Sequence, residues 1–390
     1  MDNTRAPFAA ALALAALMTA ASPLRAAPDA GSAATVAPRA AAQPPVVVRQ
    51  NDRMPWNAVV VDGNGRFIVG SPRWTANGDT RPAVAIARED GTLVPYPDAA
   101  WNSWAPGREA AGVLVSVNAI HQDAQGGLWI VDSGAPEFGG EPVRHGPKVV
   151  HVDPRTDTVV RTYLIPDEAI RAHSYVDDIR IHGRHAYLTD AGEGAVLVLD
   201  LEDGRVRRRF DGQPFVRARA GDTIEVAGKV LRGGDGKPLQ VNADPLELSP
   251  DGQVLYFGPL SGPLSQIQTR YLDDDDIDDE ALARLVRPWF GIPPVGGTAM
   301  AADGSLYYTR LADNTLVVRR PDGTTAPVVR DRRLRWADAP FLDGKGHIYL
   351  PAAQIDGAAP FNDGTSTMQP PFEVLRVDLP DAVPRAPGSP

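Results

Sequence analysis

A chain of 390 residues, 43% of them hydrophobic and none of them cysteine, can bury a core of its own but has no disulfides or thiolate metal ligands to staple it. Its formal net charge of −10 works against contacts with a phosphate backbone, and so excludes nucleic acid as an expected partner.

At the start, Arg5 precedes an apolar run from Ala6 to Ala21, and small residues follow to Ala27. That pattern predicts a secretory signal peptide over residues 1–27, too short to serve as a membrane span, and hence export to a periplasmic or extracellular location. Residues 28–43, rich in Ala, Pro, Gly and Ser, read as a flexible lead-in. No later stretch is apolar and long enough to cross a bilayer, so no membrane span is expected. Val46-Val47-Val48 then reads as a strand standing ahead of the repeats that follow.

From Val59 one pattern recurs: strand, tight polar turn, strand. It appears as VVVDGNGRFIVG, SVNAIHQDAQGGLWIVDSG, RIHGRHAYLTDAG, LSPDGQVLYFG, AADGSLYYTR and LDGKGHIYLP, and each second strand carries an aromatic: Phe67, Trp129, Tyr187, Tyr256, Tyr307, Tyr349. Gly126-Gly127 in the second copy supplies the positive φ angles of a hairpin turn. Most copies lead into a third strand and a further turn, as in KVVHVDPRTDTVVRTYLIP. One such meander cannot bury both of its faces, so the repeats must pack on one another. The prediction is an all-β, six-bladed β-propeller of four-stranded antiparallel blades, forming a single domain over residues 44–380 with a disordered tail at 381–390. A monomer is expected. The last copy lacks a strand, and Val46-Val47-Val48 is the candidate to complete it and close the ring.

Two segments leave the pattern. Leu272 to Phe290 places a run of carboxylates ahead of ALARLVRPWF and predicts an acidic helix start; it lacks the Gly and Glu positions of an EF-hand. Ala352 to Pro371 reads as a long surface loop over one end of the ring. The basic run Arg205 to Arg209 is expected to be a solvated strand edge.

In a propeller the innermost strands begin at one mouth of the central channel. Here those starts are Asn57, Asn118, Asp178, Asp244, Gly296 and Asp338, and five of the six are Asn or Asp. Such groups converging on one axis require a cation, protons or bound water, unless each is turned back onto its own backbone. Oxygen ligands of this kind suit Ca²⁺ or Mg²⁺ rather than zinc, and Asn118, Asp178 and Asp244 are the candidate ligands for Ca²⁺, the candidate cofactor. Asp178, Asp244 and His121 are the candidate proton acceptors, and His173 sits in the loop before the third inner strand. Trp74, Trp336 and Tyr175, with Asn57, Asn118 and Asp338, are candidate ligand-binding residues; Trp56, Trp101, Trp104 and Phe138 also fall in loops or strand starts. Apolar walls with a few carboxylates suit a small aromatic or amine-bearing ligand, the expected partner, although packing between blades also uses tryptophan. No G-x-S-x-G elbow and no HExxH is present.

The motifs SPRW (71–74), PYPDAAWN (95–102), LVSVNAIHQDAQGGLWIVDSG (114–134), PKVVHVDPRTDTVVRTYLIP (147–166), YVDDIRI, AYLTDAGEGAVLVLDL and LYFGPLSG (255–262) follow one another in order. In these the chain resembles the Yellow / major royal jelly protein family from about Asn51 to Val377. The resemblance implies a secreted six-bladed propeller. Some insect members convert dopachrome, a tautomerisation of an oxidised catechol, while others bind biogenic amines or act without catalysis. The cysteines of the insect members are missing here, and no agreed catalytic set carries over. Three readings therefore stand: a binding or isomerising protein for a small aromatic, a non-catalytic binding propeller, and a calcium-dependent lactonase resembling the gluconolactonase group. The last would also use a Glu from the first blade, which this sequence lacks in the right place.

Overall fold

A computed structural model describes residues 43–73 and 81–379. The strands form six four-stranded antiparallel sheets and one small separate hairpin, Glu225–Val226 with Lys229–Val230. The innermost strands are Ala58–Val61, Val117–Gln122, Val176–His182, Ala243–Leu248, Val295–Met300 and the short Phe341–Leu342. In blades 1 to 5 the remaining three strands follow in sequence outward from the axis. Blade 6 is built from both ends of the domain. His347–Pro351 and Phe372–Asp378 follow its inner strand, and Val46–Asn51 pairs with Phe372–Asp378 as the outermost strand. The predicted closure is present.

The core is a ring of six apolar layers, one between each pair of neighbouring blades. Val60, Ile68 and Val84 meet Ile120, Ile130 and Val150 between blades 1 and 2. Equivalent layers lie between 2 and 3, 3 and 4, 4 and 5, and 5 and 6. The sixth joins Tyr349 and Val374 to Val59, Phe67 and Val69 across the closure. Alternating apolar residues on twisted strands give each blade two greasy faces, and neither is buried without a neighbour.

The hairpin turns fold as the Asp-Gly chemistry dictates. Asp123 accepts hydrogen bonds from the amides of Gln125 (2.9 Å) and Gly127 (2.8 Å), and Asp62 and Asp343 hold their own turns in the same way. Of the glycine pair in this turn, only Gly126 has a positive φ, of 86°. Gly127 is needed for space instead, because a Cβ there would stand 2.7 Å from His151 Nε2. The aromatic repeat also needs a correction. Trp129, Tyr187 and Tyr307 sit in the layer toward the following blade, whereas Phe67 faces backward and meets Tyr349 edge-on at 5.5 Å. The turn bond from Asp62 to Arg66 matches that from Asp123 to Gly127, so Phe67 occupies the position of Leu128, one residue out of register.

The segment 269–290 differs from its expectation. Two short helices, Thr269–Asp273 and Asp279–Ala283, are followed by Arg287–Phe290 as the outer strand of blade 4. Asp278 caps the second helix by accepting from the Ala281 amide at 2.8 Å. The helix then gives way because RPWF completes the sheet, where Trp289 stacks on Tyr256 at 3.8 Å. The basic run is no free edge either: Arg205 and Arg207 pair with Asp275, and Arg209 with Asp279. The two charge runs neutralise each other and clasp blade 3 to blade 4.

Antiparallel order sets the two faces apart. The inner strands start on the face that carries the long connections, among them 96–116, 133–147, 210–242 and 352–371. The opposite face carries the tight Asp turns and the helical insertion. Val46 pairs with Arg376 at the end of the sheet nearer that turn face, so both ends of the domain leave there. Removing residues 44–50 would strip the outer strand from blade 6 and expose the edge of Phe372–Asp378. The expected result is a melting temperature lower by roughly 10 °C or more, several kcal/mol at this size. An unchanged melting curve would show that the ring closes without this strand.

Candidate functional site

The channel mouth is shaped by a recurrent irregularity. In blades 2 to 5 the pairing of the two innermost strands slips directly after the first residue pair, between Val117 and Ala119, Val176 and Ile179, Ala243 and Leu246, and Val295 and Thr298. The skipped residues are Asn118, Asp177-Asp178, Asp244-Pro245 and Gly296-Gly297. A bulge of this kind re-aims side chains out of the ladder, and here it turns them toward the axis. At blade 5 the glycines make room for blade 6: a Cβ on Gly296 would lie 2.3 Å from the Ala337 carbonyl oxygen, and one on Gly297 2.6 Å from the Ala339 amide.

The groups at one side of the mouth are linked by hydrogen bonds. Asn57 Nδ2 donates to the Asn118 carbonyl oxygen at 3.0 Å, and Asn118 Nδ2 donates to Asp177 Oδ1. The Tyr175 hydroxyl donates to Asn118 Oδ1 at 3.0 Å. Asn57 Oδ1 is buried and accepts no hydrogen bond. On the other side, Trp336 Nε1 donates to Asp338 Oδ2 at 3.1 Å, and the Ala339 amide donates to Asp338 Oδ1 at 2.8 Å.

Two buried carboxylates hold this arrangement from behind. Asp132 accepts from the amides of Val115, Ser116 and Gly134, and its charge is met by Lys148 Nζ at 2.7 Å, with both side chains fully buried. Asp190 does the same one blade on, accepting from the Tyr175, Gly192 and Glu193 amides and from Ser174 Oγ, with Arg208 at 2.6 Å. Each pins the chain where it enters an inner strand, and so fixes Asn118 and the Tyr175–Asp178 segment. The D-S-G and D-A-G tripeptides that close the second strands are the sequence trace of these pins.

One turn deeper lies a second tier. The inner-strand residues paired with Trp129, Tyr187 and Tyr256 are His121, Arg180 and Glu247, while those paired with Ile68, Tyr307 and Tyr349 are Val60, Ala299 and Phe341. At these register positions blades 2 to 4 carry polar residues and blades 5, 6 and 1 apolar ones, with Val60 and Ala299 lying in the layers between blades. Arg180 spans the polar side, donating to both oxygens of Asp178 at 2.8 Å and reaching Glu247 Oε1 at 2.9 Å. Glu247 in turn accepts from Thr298 Oγ1 at 2.8 Å.

Charge decides the character of the site. Asp177, Asp178, Asp244, Glu247 and Asp338 surround the channel, and Arg180 is the cation among them; it is spent on Asp178 and Glu247. Burial, then repulsion from Asp178, pushes the Asp244 carboxyl up to about 8. Burial followed by the charge of Asp244 raises Asp177 and Asp338 well above the usual carboxylate range. Asp178 is also raised, by burial, against the pull of Arg180. Burial first, and then Arg180, lowers the His121 imidazole to about 3, so it is neutral at physiological pH. Burial and mutual repulsion thus favour the protonated form of Asp177, Asp244 and Asp338, for which the channel supplies no paired cation.

The sequence model of the major royal jelly protein family matches residues 115–331, more than half of the chain. The chain belongs to that family. No curated protein matches the sequence. Among solved structures, virginiamycin B lyase from Staphylococcus aureus is similar with a TM-score of 0.44 at 10% identity, over 86% of this chain and 98% of the other. A gluconolactonase from Xanthomonas campestris is similar with a TM-score of 0.43 at 14% identity, over 88% of this chain and 99% of its own. Likenesses at this level carry no assignment of activity.

In this royal-jelly-family propeller the predicted residues divide. Asn57, Asn118, Asp244 and Asp338 lie at or just before the starts of the inner strands of blades 1, 2, 4 and 6. Asp178 requires a correction: Asp177 takes the position equivalent to Asp244, while Asp178 follows it in the bulge and is bound by Arg180. His121 lies in the deeper tier. Tyr175 reaches the ring through Asn118. Trp336 is buried and touches the ring only through its indole N–H, and Trp56 and Trp104 are buried in packing clusters. Trp101 packs on the layer between blades 1 and 2, and His173 is exposed. Trp74 lies outside the described residues. Of the three oxygen ligands expected for Ca²⁺, Asp178 is already engaged by Arg180, and among the described residues no three carboxylate or imidazole side chains gather closely enough to hold a metal. A hollow of about 400 Å³ on the outer wall, lined by Arg49, Arg66 and Arg88, offers no comparable chemistry, since Arg66 is bound by Asp62 and Asp157 and Arg49 by carbonyls. Asp177, Arg180 and Glu247 were missed; the doubled Asp of YVDDIRI was the visible signal of the first two.

The buried pins give a direct test. Lys148→Ala leaves Asp132 charged and unpartnered, and is expected to cost about 3–5 kcal/mol of stability by denaturant unfolding. Adding Asp132→Asn should return part of that loss. A Lys148→Ala protein as stable as the parent would remove Asp132 from its role as an anchor.

Proposed function

We propose that this propeller binds a small aromatic ligand carrying a positive charge at the channel mouth, and that it can isomerise a catechol-derived one there. The observation that supports this reading is the set of five carboxyl groups, Asp177, Asp178, Asp244, Glu247 and Asp338, facing the single guanidinium of Arg180. An ammonium group placed between Asp177, Asp244 and Asp338 would replace protons that those acids otherwise retain. The unpaired Asn57 Oδ1 offers a further acceptor. Phe341, of the second tier, suits the ring of such a ligand.

Isomerisation of this type moves one proton from carbon to oxygen without change of redox state. A carboxyl near 8 is suited to that work, because it accepts and returns a proton at physiological pH with little driving force lost. In this reading Asp244 takes the proton, and the Tyr175 hydroxyl stabilises the developing oxyanion. We place the protein outside the cytoplasm on the strength of the leader pattern.

Calorimetric titration of dopamine and tryptamine against neutral catechol tests the reading. The amines are expected to bind at least roughly tenfold more tightly than catechol, the worth of about 1.4 kcal/mol, and Asp244→Asn should abolish the difference. Equal binding of catechol and dopamine would sink the cation reading. The pH dependence has a definite sign. Folding raises the Asp244 carboxyl from 3.8 to about 8, so the folded protein keeps a proton that the unfolded chain releases. Stability from this group is complete below the unfolded value and is lost as pH rises toward and through 8. The ligand-free melting temperature should therefore fall between about pH 5 and 8 more steeply than in Asp244→Asn, while amine affinity rises. Export is checked by N-terminal sequencing of the mature protein, expected to begin near Pro28; an intact Met1 on protein recovered outside the cell would refute leader cleavage.

A further inference from the structure

The long loops of the mouth face do not stand apart. Ile224, Val226, Leu231 and Leu239 from the connection between blades 3 and 4 form one apolar cluster with Leu311 of blade 5, Trp336, and Ile355, Ala358 and Phe361 of blade 6. Phe138, from the loop of blade 2, packs against this cluster and meets Phe361 edge-on at 4.9 Å. Blades 2 and 5 stand on opposite sides of a six-bladed ring. This cluster, with the Lys229–Asn362 bond, joins the connection after blade 3 to blade 6 on the opposite side of the ring, on the face where the carboxylates lie. It forms an apolar roof on that face.

The roof is tied down at a few points. Lys229 Nζ donates to Asn362 Oδ1 at 3.1 Å across the two principal loops, and Arg335 pairs with Asp356 at 2.7 Å. Trp336 belongs to the roof cluster and also donates its indole N–H to Asp338. The backbone around this link is strained: Trp336, Ala339 and Gln354 have φ of 46°, 23° and 53°, a region that costs any residue but glycine. Strain of that kind persists where the surrounding packing enforces it, and here it surrounds the one described hydrogen bond between roof and ring.

We propose that the roof is a gate to the carboxylate ring, latched through Trp336 on Asp338, and that the Phe138–Phe361 contact sets the size of what it admits. A ligand cation that draws Asp338 toward itself competes with the Trp336 N–H and so loosens the roof from below. Trp336 is thus a positioning residue rather than part of the ligand wall. This deepens the reading of the ring as a cation site, but the gate can be tested without any ligand.

Since the chain has no cysteine, Asp244→Cys places a lone thiol in the ring, and its rate of modification by a trimethylammonium methanethiosulfonate reports access. The expected rate is slow in the single variant and rises at least roughly tenfold when Phe361→Ala or Phe138→Ala opens the roof, the scale of one local opening equilibrium shifted by a lost aromatic contact. Lys229→Ala, which removes only an exposed latch, should raise the rate in the same direction by less, and keeps the test valid if the aromatic truncations unfold the protein. Trp336→Phe retains the roof's bulk but not the N–H, and should also accelerate modification. A thiol that reacts as fast as one placed on the outer surface, or a rate unmoved by both Phe361→Ala and Lys229→Ala in folded protein, overturns the gate. Dopamine titration of the parent separates the two ideas: gating intact without amine binding upholds the gate and refutes the cation site, whereas amine binding with an ungated thiol does the reverse.

Discussion

Every apolar layer in this protein lies between blades, so the whole depends on the ring being closed. No blade owns a core; each contributes two faces that are satisfied only by its neighbours. The pairing of Val46–Asn51 with Phe372–Asp378 is what turns a stack with two exposed ends into a circuit with none. It also explains how a chain without a single disulfide holds polar groups at its centre. The cost of crowding carboxyl groups around one axis is borne by six apolar layers that cannot relax away from it.

Function collects where the repeat is broken. The regular part of each blade, the hairpin with its Asp turn, faces away from the mouth. The bulges at the start of the inner strands interrupt the ladder and aim Asn118, Asp177 and Asp244 at the axis. Behind them Asp132 with Lys148 and Asp190 with Arg208 are fully compensated, whereas Asp177, Asp244 and Asp338 are not. The protein thus keeps two kinds of buried carboxylate. Those that fix the backbone have a cation and a full set of amide donors; those that face the channel have neither, and burial shifts them toward the protonated form.

The fold was legible because turn chemistry and strand alternation repeat six times, and the closure was legible because the last copy lacked a strand. The candidate ring was legible to within one residue. Asp178 and Asp177 are indistinguishable in YVDDIRI until the pairing slip after Val176 is known, and a slip is set by the partner strand rather than by local sequence. The same limit applies to Phe67, which follows a turn of equal length one residue earlier than Trp129 does and so points to the opposite face. RPWF continues a helical pattern by propensity, but an unpaired sheet edge in blade 4 claims it. Trp336 reads like a ligand wall because exposed aromatics near a mouth often are; the loops that bury it come from other blades, which no local pattern reveals. The Arg205–Arg209 and Asp273–Asp279 runs, far apart in sequence, cancel only once blades 3 and 4 are side by side.

Both ends of the domain leave blade 6 on the turn face, away from the roofed mouth. Among the described residues, the first and last strands of the domain therefore both have their outer ends beside the tight Asp turns rather than beside the carboxylates. The strand that closes the ring thus also orients the molecule: pulling on the two ends loads one antiparallel pair in blade 6, and the mouth is the part of the protein farthest from the force.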